Sequence, residues 1–137
     1  MQEEFLYKEL SYKLIGCFYS IRNEYGPGQK ESVYVNLIKE CLEAEKILAE
    51  KEKAINIYSS RTGKVVGTYR PDLIAGGKVI VEVKSSRFTT KQDEKQLYHY
   101  LRNSQYEVGY IVNFSTPTIY IKRIVYSNHR KPFLKSA

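Results

Sequence analysis

Residues Val108-Gly109-Tyr110-Ile111-Val112-Asn113-Phe114 are almost wholly apolar, the pattern of a strand covered on both faces. A chain containing such a strand must build a layer on each side of its sheet. Helical patterns are available for this. Leu6, Leu10, Leu14, Phe18 and Ile21 recur at spacings of three and four and predict a first helix over residues 3–23, ending before Gly26-Pro27-Gly28. A second helix is expected over 29–49, with Leu37, Ile38, Cys41, Leu42 and Leu48 at its apolar positions, and a third over 90–103. Strand patterns occupy 54–59, 65–74, 78–85 and 118–126. Thr62-Gly63-Lys64 turns between the first two, so residues 54–85 read as a meander. The expected fold class is α/β, a mixed sheet flanked by helices.

Within that meander, Val79, Val81 and Val83 alternate with Ile80, Glu82 and Lys84. The valines take the core face, and Glu82 and Lys84 share the other. Asp72 follows Pro71, ten residues before Glu82. Whether it joins Glu82 depends on register, because directly opposed residues of an antiparallel pair point the same way. A two-residue Gly76-Gly77 loop pairs Ala75 with Lys78 and separates the acids. A three-residue Ala75-Gly76-Gly77 loop pairs Ile74 with Lys78 and brings them together, with glycine supplying the left-handed conformation such a loop needs. The three-residue loop is the expectation. Two carboxylates so placed repel, at a cost unless one is protonated or a cation lies between them. Asp72, Glu82 and the main-chain carbonyl of Val83 offer oxygen ligands suited to Mg²⁺ or Mn²⁺, which completes its shell with water and phosphate oxygens. Lys84 would position or deprotonate an attacking water and offset charge on the phosphate. This is the chemistry of phosphodiester hydrolysis. The plain alternative is a solvated strand face after a Pro-Asp turn.

Pro71-Asp72 with Glu82-Val83-Lys84 resembles the PD-(D/E)xK nuclease superfamily, which carries its Asp and Glu on consecutive strands. Gly28-Gln29-Lys30-Glu31-Ser32-Val33-Tyr34 resembles the GxxExxY signature that names a small bacterial family of that superfamily. Gln96-Leu97-Tyr98-His99-Tyr100 is similar to the QxxxY element of its RecB-like branch, although Asp93 stands where such sequences often carry His. The resemblance spans residues 10–126. It implies a restriction-endonuclease-like αβββαβ core, while length and the lack of a repeat or linker give a single domain over 1–137, with 126–137 as a basic C-terminal tail. It also implies a metal-dependent nuclease, with DNA favoured as substrate. Glu31 would be a third acidic ligand beside Asp72, Glu82 and the Val83 carbonyl. Lys84 would handle the water, Gln96 would orient the phosphate, and Tyr100 would shape the site. From the residues alone, Glu31 in a first helical turn is also what the helix dipole favours, although Tyr34 and Ile38 share its face. Gln96 and Tyr100 lie four apart on one helix face, where a surface Gln and a core Tyr would equally fit.

Net charge is +7, from 22 basic and 15 acidic residues. No acidic residue follows Glu107, whereas Lys122, Arg123, Arg130, Lys131 and Lys135 do. Such an edge and tail attract a phosphate backbone regardless of sequence, and also serve solubility. Cys17 and Cys41 fall in different helical patterns without companions at ligand spacing, and are expected as free, buried thiols of a reducing cytoplasm. No apolar run reaches membrane-spanning length, and Met1-Gln2-Glu3-Glu4 is acidic where a signal peptide would be basic. Tyr58, Tyr69 and Tyr110 lie in strand patterns and are expected as core or cross-strand residues. A second account of function belongs to a different class: a non-catalytic nucleic-acid-binding or regulatory module, acting with a protein partner or a second copy of the chain.

Overall fold

The computed structural model describes residues 5–134. Among them are three α-helices, α1 (Lys8–Tyr25), α2 (Glu31–Ala44) and α3 (Lys91–Arg102). The strands are β1 (Ala49–Lys51), β2 (Ile55–Tyr58), β3 (Val65–Tyr69), β4 (Leu73–Ala75), β5 (Val79–Lys84), β6 (Val108–Asn113) and β7 (Tyr120–Val125). A five-stranded mixed sheet runs β1-β4-β5-β6-β7, and β2-β3 form a separate two-stranded ribbon. Among the described residues only β5 and β6 are parallel neighbours in the sheet, and α3 is the crossover that such a pair requires.

The apolar strand behaves as its sequence demands, since every residue of β6 is buried. Its side chains divide by alternation. Val108, Tyr110 and Val112 join Leu73, Val79, Val81 and Val83 in the core beneath α1 and α2. Ile111 joins Ile74 and Ile80 against Leu97 and Leu101 of α3 on the opposite face. The expected α/β class, a mixed sheet with helices on both faces, is therefore what forms. Gly109 sets how closely α3 approaches, because a Cβ there would lie 2.9 Å from Leu97 Cδ1.

Several boundaries differ from expectation. The first helix starts at Lys8, and positions 3 and 4 of the expected span lie outside the described residues. The second ends at Ala44 rather than 49, because Lys46 turns left-handed (φ 61°) and the Ile47 N–H closes onto the Leu42 carbonyl at 2.9 Å. The chain then reverses into β1, and Leu48 is exposed rather than on an apolar helix face. The meander is also split. Pro71 has no N–H to give to a ladder, so the strand expected over 65–74 breaks there into β3 of the ribbon and β4 of the main sheet.

Cys17 and Cys41 are not free thiols but a disulfide joining α1 to α2, their Cα atoms 6.0 Å apart. A short turn folds the two helices into a hairpin, which brings together cysteines that the linear pattern keeps far apart. The thiol argument for a reducing compartment falls with this pairing. The basic tail is docked through residue 134. Lys131 is fully buried, donating to the Ser104 carbonyl (2.9 Å), the Tyr106 carbonyl (2.8 Å) and Asn128 Oδ1 (2.7 Å), and Phe133 stacks on Tyr58. It is therefore not a surface charge for phosphate, and burial lowers its pKa to about 8. Lys135 lies outside the described residues. Among those residues, no helix is long and apolar enough to cross a membrane.

Substituting Gly109→Ala forces Leu97 to move and is expected to cost about 1–3 kcal/mol in denaturant unfolding. In a Leu97→Ala background the same substitution should cost less, because the obstructing methyls are gone. Equal costs in the two backgrounds would contradict this account of the α3 contact.

Candidate active site

The site is built on the β4–β5 hairpin at the carboxyl end of β5. Leu73 pairs with Val81 and Ala75 with Val79, so Asp72, one residue before β4, falls opposite Glu82. The loop has three residues, as expected, but lies one position further along, at Gly76-Gly77-Lys78. Both glycines are left-handed (φ 61° and 68°), and the Lys78 N–H bonds the Ala75 carbonyl at 3.1 Å. The shift leaves the parity intact, so Asp72 and Glu82 share a side.

Asp72 Oδ2 accepts the Val83 N–H at 2.8 Å. The N–H and C=O of a strand residue project to the same edge, so the Val83 carbonyl also faces the side that Asp72 occupies. Glu82 Oε1 accepts the Tyr69 hydroxyl, with the Asp72 N–H at 3.4 Å. Burial pushes the Glu82 carboxyl up to about 7, and the nearby Asp72 charge adds to the effect. Asp72 is also raised, first by burial and then by the charges of Glu31 and Glu52. Glu31 Oε2 accepts the Ser85 N–H at 3.3 Å, which brings the start of α2 to the end of β5. The motif tyrosine explains that placement. Tyr34 is buried, stacks on Phe114 with centroids 4.3 Å apart, donates to the Gly26 carbonyl (2.5 Å) and accepts the Gln29 N–H (3.2 Å).

Glu31, Glu52 and Asp72 line one pocket, whereas Glu82 turns the other way, toward Tyr69. Among the described residues, no three His, Cys, Asp or Glu side chains converge closely enough to hold a metal ion. The expected gathering of Glu31, Asp72 and Glu82 at one point is thus not met. The physical reason is that each acid bonds a donor of the protein itself. Glu82 takes the Tyr69 hydroxyl, Asp72 the Val83 amide and Glu31 the Ser85 amide.

One face of α3 closes the site from above. Lys84 Nζ lies 3.7 Å from Asp93 Oδ1, so the residue standing at the family's His position pairs with the site lysine. Tyr100 stacks on Tyr69 with centroids 3.5 Å apart, and Gln96 Nε2 donates to the Tyr100 hydroxyl at 3.4 Å. The fold therefore brings Asp72, Glu82, Val83 and Lys84 together, sets Gln96 and Tyr100 over them, and places Glu31 on the far side of Asp72. Sequence reasoning missed two residues. Tyr69 reads as an ordinary strand tyrosine, and only the ribbon's return to the main sheet delivers its hydroxyl to Glu82. Glu52 is hidden in the charged run Glu50-Lys51-Glu52-Lys53. It is a left-handed residue (φ 51°), its N–H 3.4 Å from the Asp72 carbonyl and its own carbonyl accepting from Arg70 at 3.1 Å.

A family model of the PD-(D/E)XK nuclease superfamily matches residues 8–124. The matched span holds all the motif residues above, and the mixed sheet with flanking helices is consistent with a restriction-endonuclease-like fold. No curated protein matches the chain. Among solved structures, one described as "Crystal structure of SSO0001" is similar over 97% of this chain and 84% of that one, at 17% sequence identity and a TM-score of 0.47.

The raised Glu82 carboxyl makes a stability prediction. Between its ordinary value of 4.5 and about 7, the folded chain keeps a proton that the unfolded chain has released. The contribution of this group therefore favours the fold at low pH and is lost as pH rises through that window. In the presence of a chelator, Glu82→Gln should gain in melting temperature over wild type as pH rises from 4.5 to 7. A constant difference between the two proteins across that range would contradict the buried, unrelieved carboxylate.

Proposed function

The chain belongs to the PD-(D/E)XK nuclease superfamily, and from that premise we propose that it is a metal-dependent nuclease of the bacterial GxxExxY family, acting as one domain on DNA. The observation that carries this reading is the pair Asp72 and Glu82, opposed across a hairpin with both carboxyls raised by burial and by neighbouring acids. A structural role would select against that repulsion, whereas a divalent cation relieves it. The donor chemistry fits a hard cation: carboxylates of Asp72, Glu82 and Glu31, with the Val83 carbonyl on the same edge. When bound, such a cation supplies Lewis-acid polarisation of the phosphate and lowers the pKa of a coordinated water.

The protein's own residues do the rest. Lys84, held by Asp93 at 3.7 Å, stands beside the acids to donate hydrogen bonds to a phosphate oxygen and to the attacking water, orienting that water and offsetting the charge that develops on the phosphate. Hydrolysis forms one P–O bond from that water and breaks the bond to the leaving sugar oxygen, which receives a proton. Gln96 offers its amide to the phosphate from α3. The Tyr69–Tyr100 stack fixes the hydroxyl that holds Glu82. A Glu82 relieved of its proton and turned off Tyr69 would be free to bind the cation.

Incubating the protein with single-stranded DNA, duplex DNA or RNA and Mg²⁺ or Mn²⁺ tests this. Cleavage is expected in wild type and absent in Asp72→Ala, and Lys84→Ala should lower the rate by about 10²- to 10⁴-fold. Millimolar Mn²⁺ should raise the melting temperature of wild type but not of Asp72→Ala. No cleavage of any substrate, with binding indifferent to metal, would favour the non-catalytic module instead.

A further inference from the structure

Beyond Lys84 the chain enters a loop, Ser85-Ser86-Arg87-Phe88-Thr89, that the catalytic reading leaves almost unused. Asn113, a fully buried polar side chain at the end of β6, fastens its backbone from below. The Asn113 amide donates to Ser86 Oγ (3.2 Å), Thr89 Oγ1 (3.2 Å) and the Phe88 carbonyl (3.5 Å), and its Oδ1 accepts the Ser86 N–H (3.2 Å). The Ser86 hydroxyl adds a bond to the Phe88 carbonyl at 2.9 Å. On this fixed loop the Phe88 side chain is 75% exposed. Fully burying a phenyl ring is worth about 1.5–3 kcal/mol, so holding one out in water forgoes stability.

Between this loop and the turn at residues 27–30 lies an open trough of about 510 Å³, lined as far as Arg87, the residue before Phe88. Each wall contributes one basic side chain, Lys30 from the turn and Arg87 from the loop, and among the described residues no acidic side chain lines it. The Ser85 and Ser115 hydroxyls lie 2.7 Å apart within it. Gly28 donates its N–H to Ser115 Oγ at 3.0 Å and leaves open space where a Cβ would stand. Ser85 joins this trough to the acids, because its N–H is the partner of Glu31. The balance of charge thus changes across one residue, from Glu31, Glu52 and Asp72 with the single basic Lys51 in one pocket to Lys30 and Arg87 without an acid in the next. A chain of phosphates with one member at the acids would lay its neighbour in the trough. Only an unpaired base could then offer its face to Phe88.

We infer that this loop and trough receive a single-stranded segment of nucleic acid, Lys30 and Arg87 taking backbone phosphates and Phe88 stacking on an unpaired base. This deepens the nuclease reading and rests on it for where the scissile phosphate lies. Binding is measured in an Asp72→Ala background, which prevents cutting, by fluorescence anisotropy with a labelled single-stranded DNA, an RNA of the same length and a blunt duplex. Adding Phe88→Ala should weaken binding of the single strands roughly 5- to 150-fold. It should leave the blunt duplex and the melting curve unchanged, while Phe88→Tyr should bind as Phe88 does. Replacing both Lys30 and Arg87 by Ala should lower the slope of log affinity against log salt by about 1.4 for single strands, at about 0.7 for each phosphate no longer neutralised. Equal effects of Phe88→Ala on single strand and duplex, or none on either, would overturn the inference, even in a protein whose wild type cleaves. If wild type cleaves nothing yet Phe88→Ala weakens single strands selectively, the nuclease reading fails and this surface stands.

Discussion

Two acidic residues held opposite each other across a hairpin are the constraint around which the site of this molecule is arranged. Asp72 and Glu82 are opposed because β4 and β5 pair in one register, and that register is fixed by burial on both faces of the sheet. Slipping the pairing by one residue would carry Leu73 and Ala75 out of the α1–α2 core and exchange them for Ile74. The apolar packing therefore offsets electrostatic repulsion that the acids alone would not sustain. Each acid is meanwhile satisfied by a donor of the protein, and on the proposed reading a cation would compete with those donors.

The two faces of the sheet contribute differently to the site. On the α1–α2 side, Tyr34 and Phe114 stack and tie the turn before α2 to the end of β6, which sets Glu31 next to Ser85. On the α3 side, Tyr69 from the small ribbon and Tyr100 from the helix stack over Glu82, and Asp93 holds Lys84. The acids and the lysine thus sit where the carboxyl end of a parallel strand meets loops from both layers, the region where sheets of this kind place their ligands. The Asn113 bonds to Ser86, Phe88 and Thr89 extend the same rigid frame outward to the basic trough.

Much of this was legible in the linear chain. The run through Val108–Asn113 required a covered sheet, the valines of β5 named its core face, and parity placed Asp72 with Glu82 even though the loop lies one residue further along. Local pattern failed where long-range pairing decided the outcome. Leu48 and Ala49 read as the end of an amphipathic helix until Lys46 reverses the chain, and Ala49–Lys51 becomes a strand only because β4 offers an edge. Cys17 and Cys41 meet only when two helices fold back on each other. Lys131 reads as a tail charge, but three carbonyl-type oxygens draw it inside. Tyr69 and Glu52 carry no signature of their own, since their places at the site come from a ribbon and a left-handed loop residue rather than from periodicity.

Diffraction from crystals soaked in Mn²⁺, recorded for its anomalous signal, tests the central claim most directly. The account predicts a peak between the Asp72 and Glu82 carboxylates and the Val83 carbonyl, with Glu82 turned away from the Tyr69 hydroxyl. No peak there, with Glu82 still bonded to Tyr69 at millimolar Mn²⁺, would contradict it.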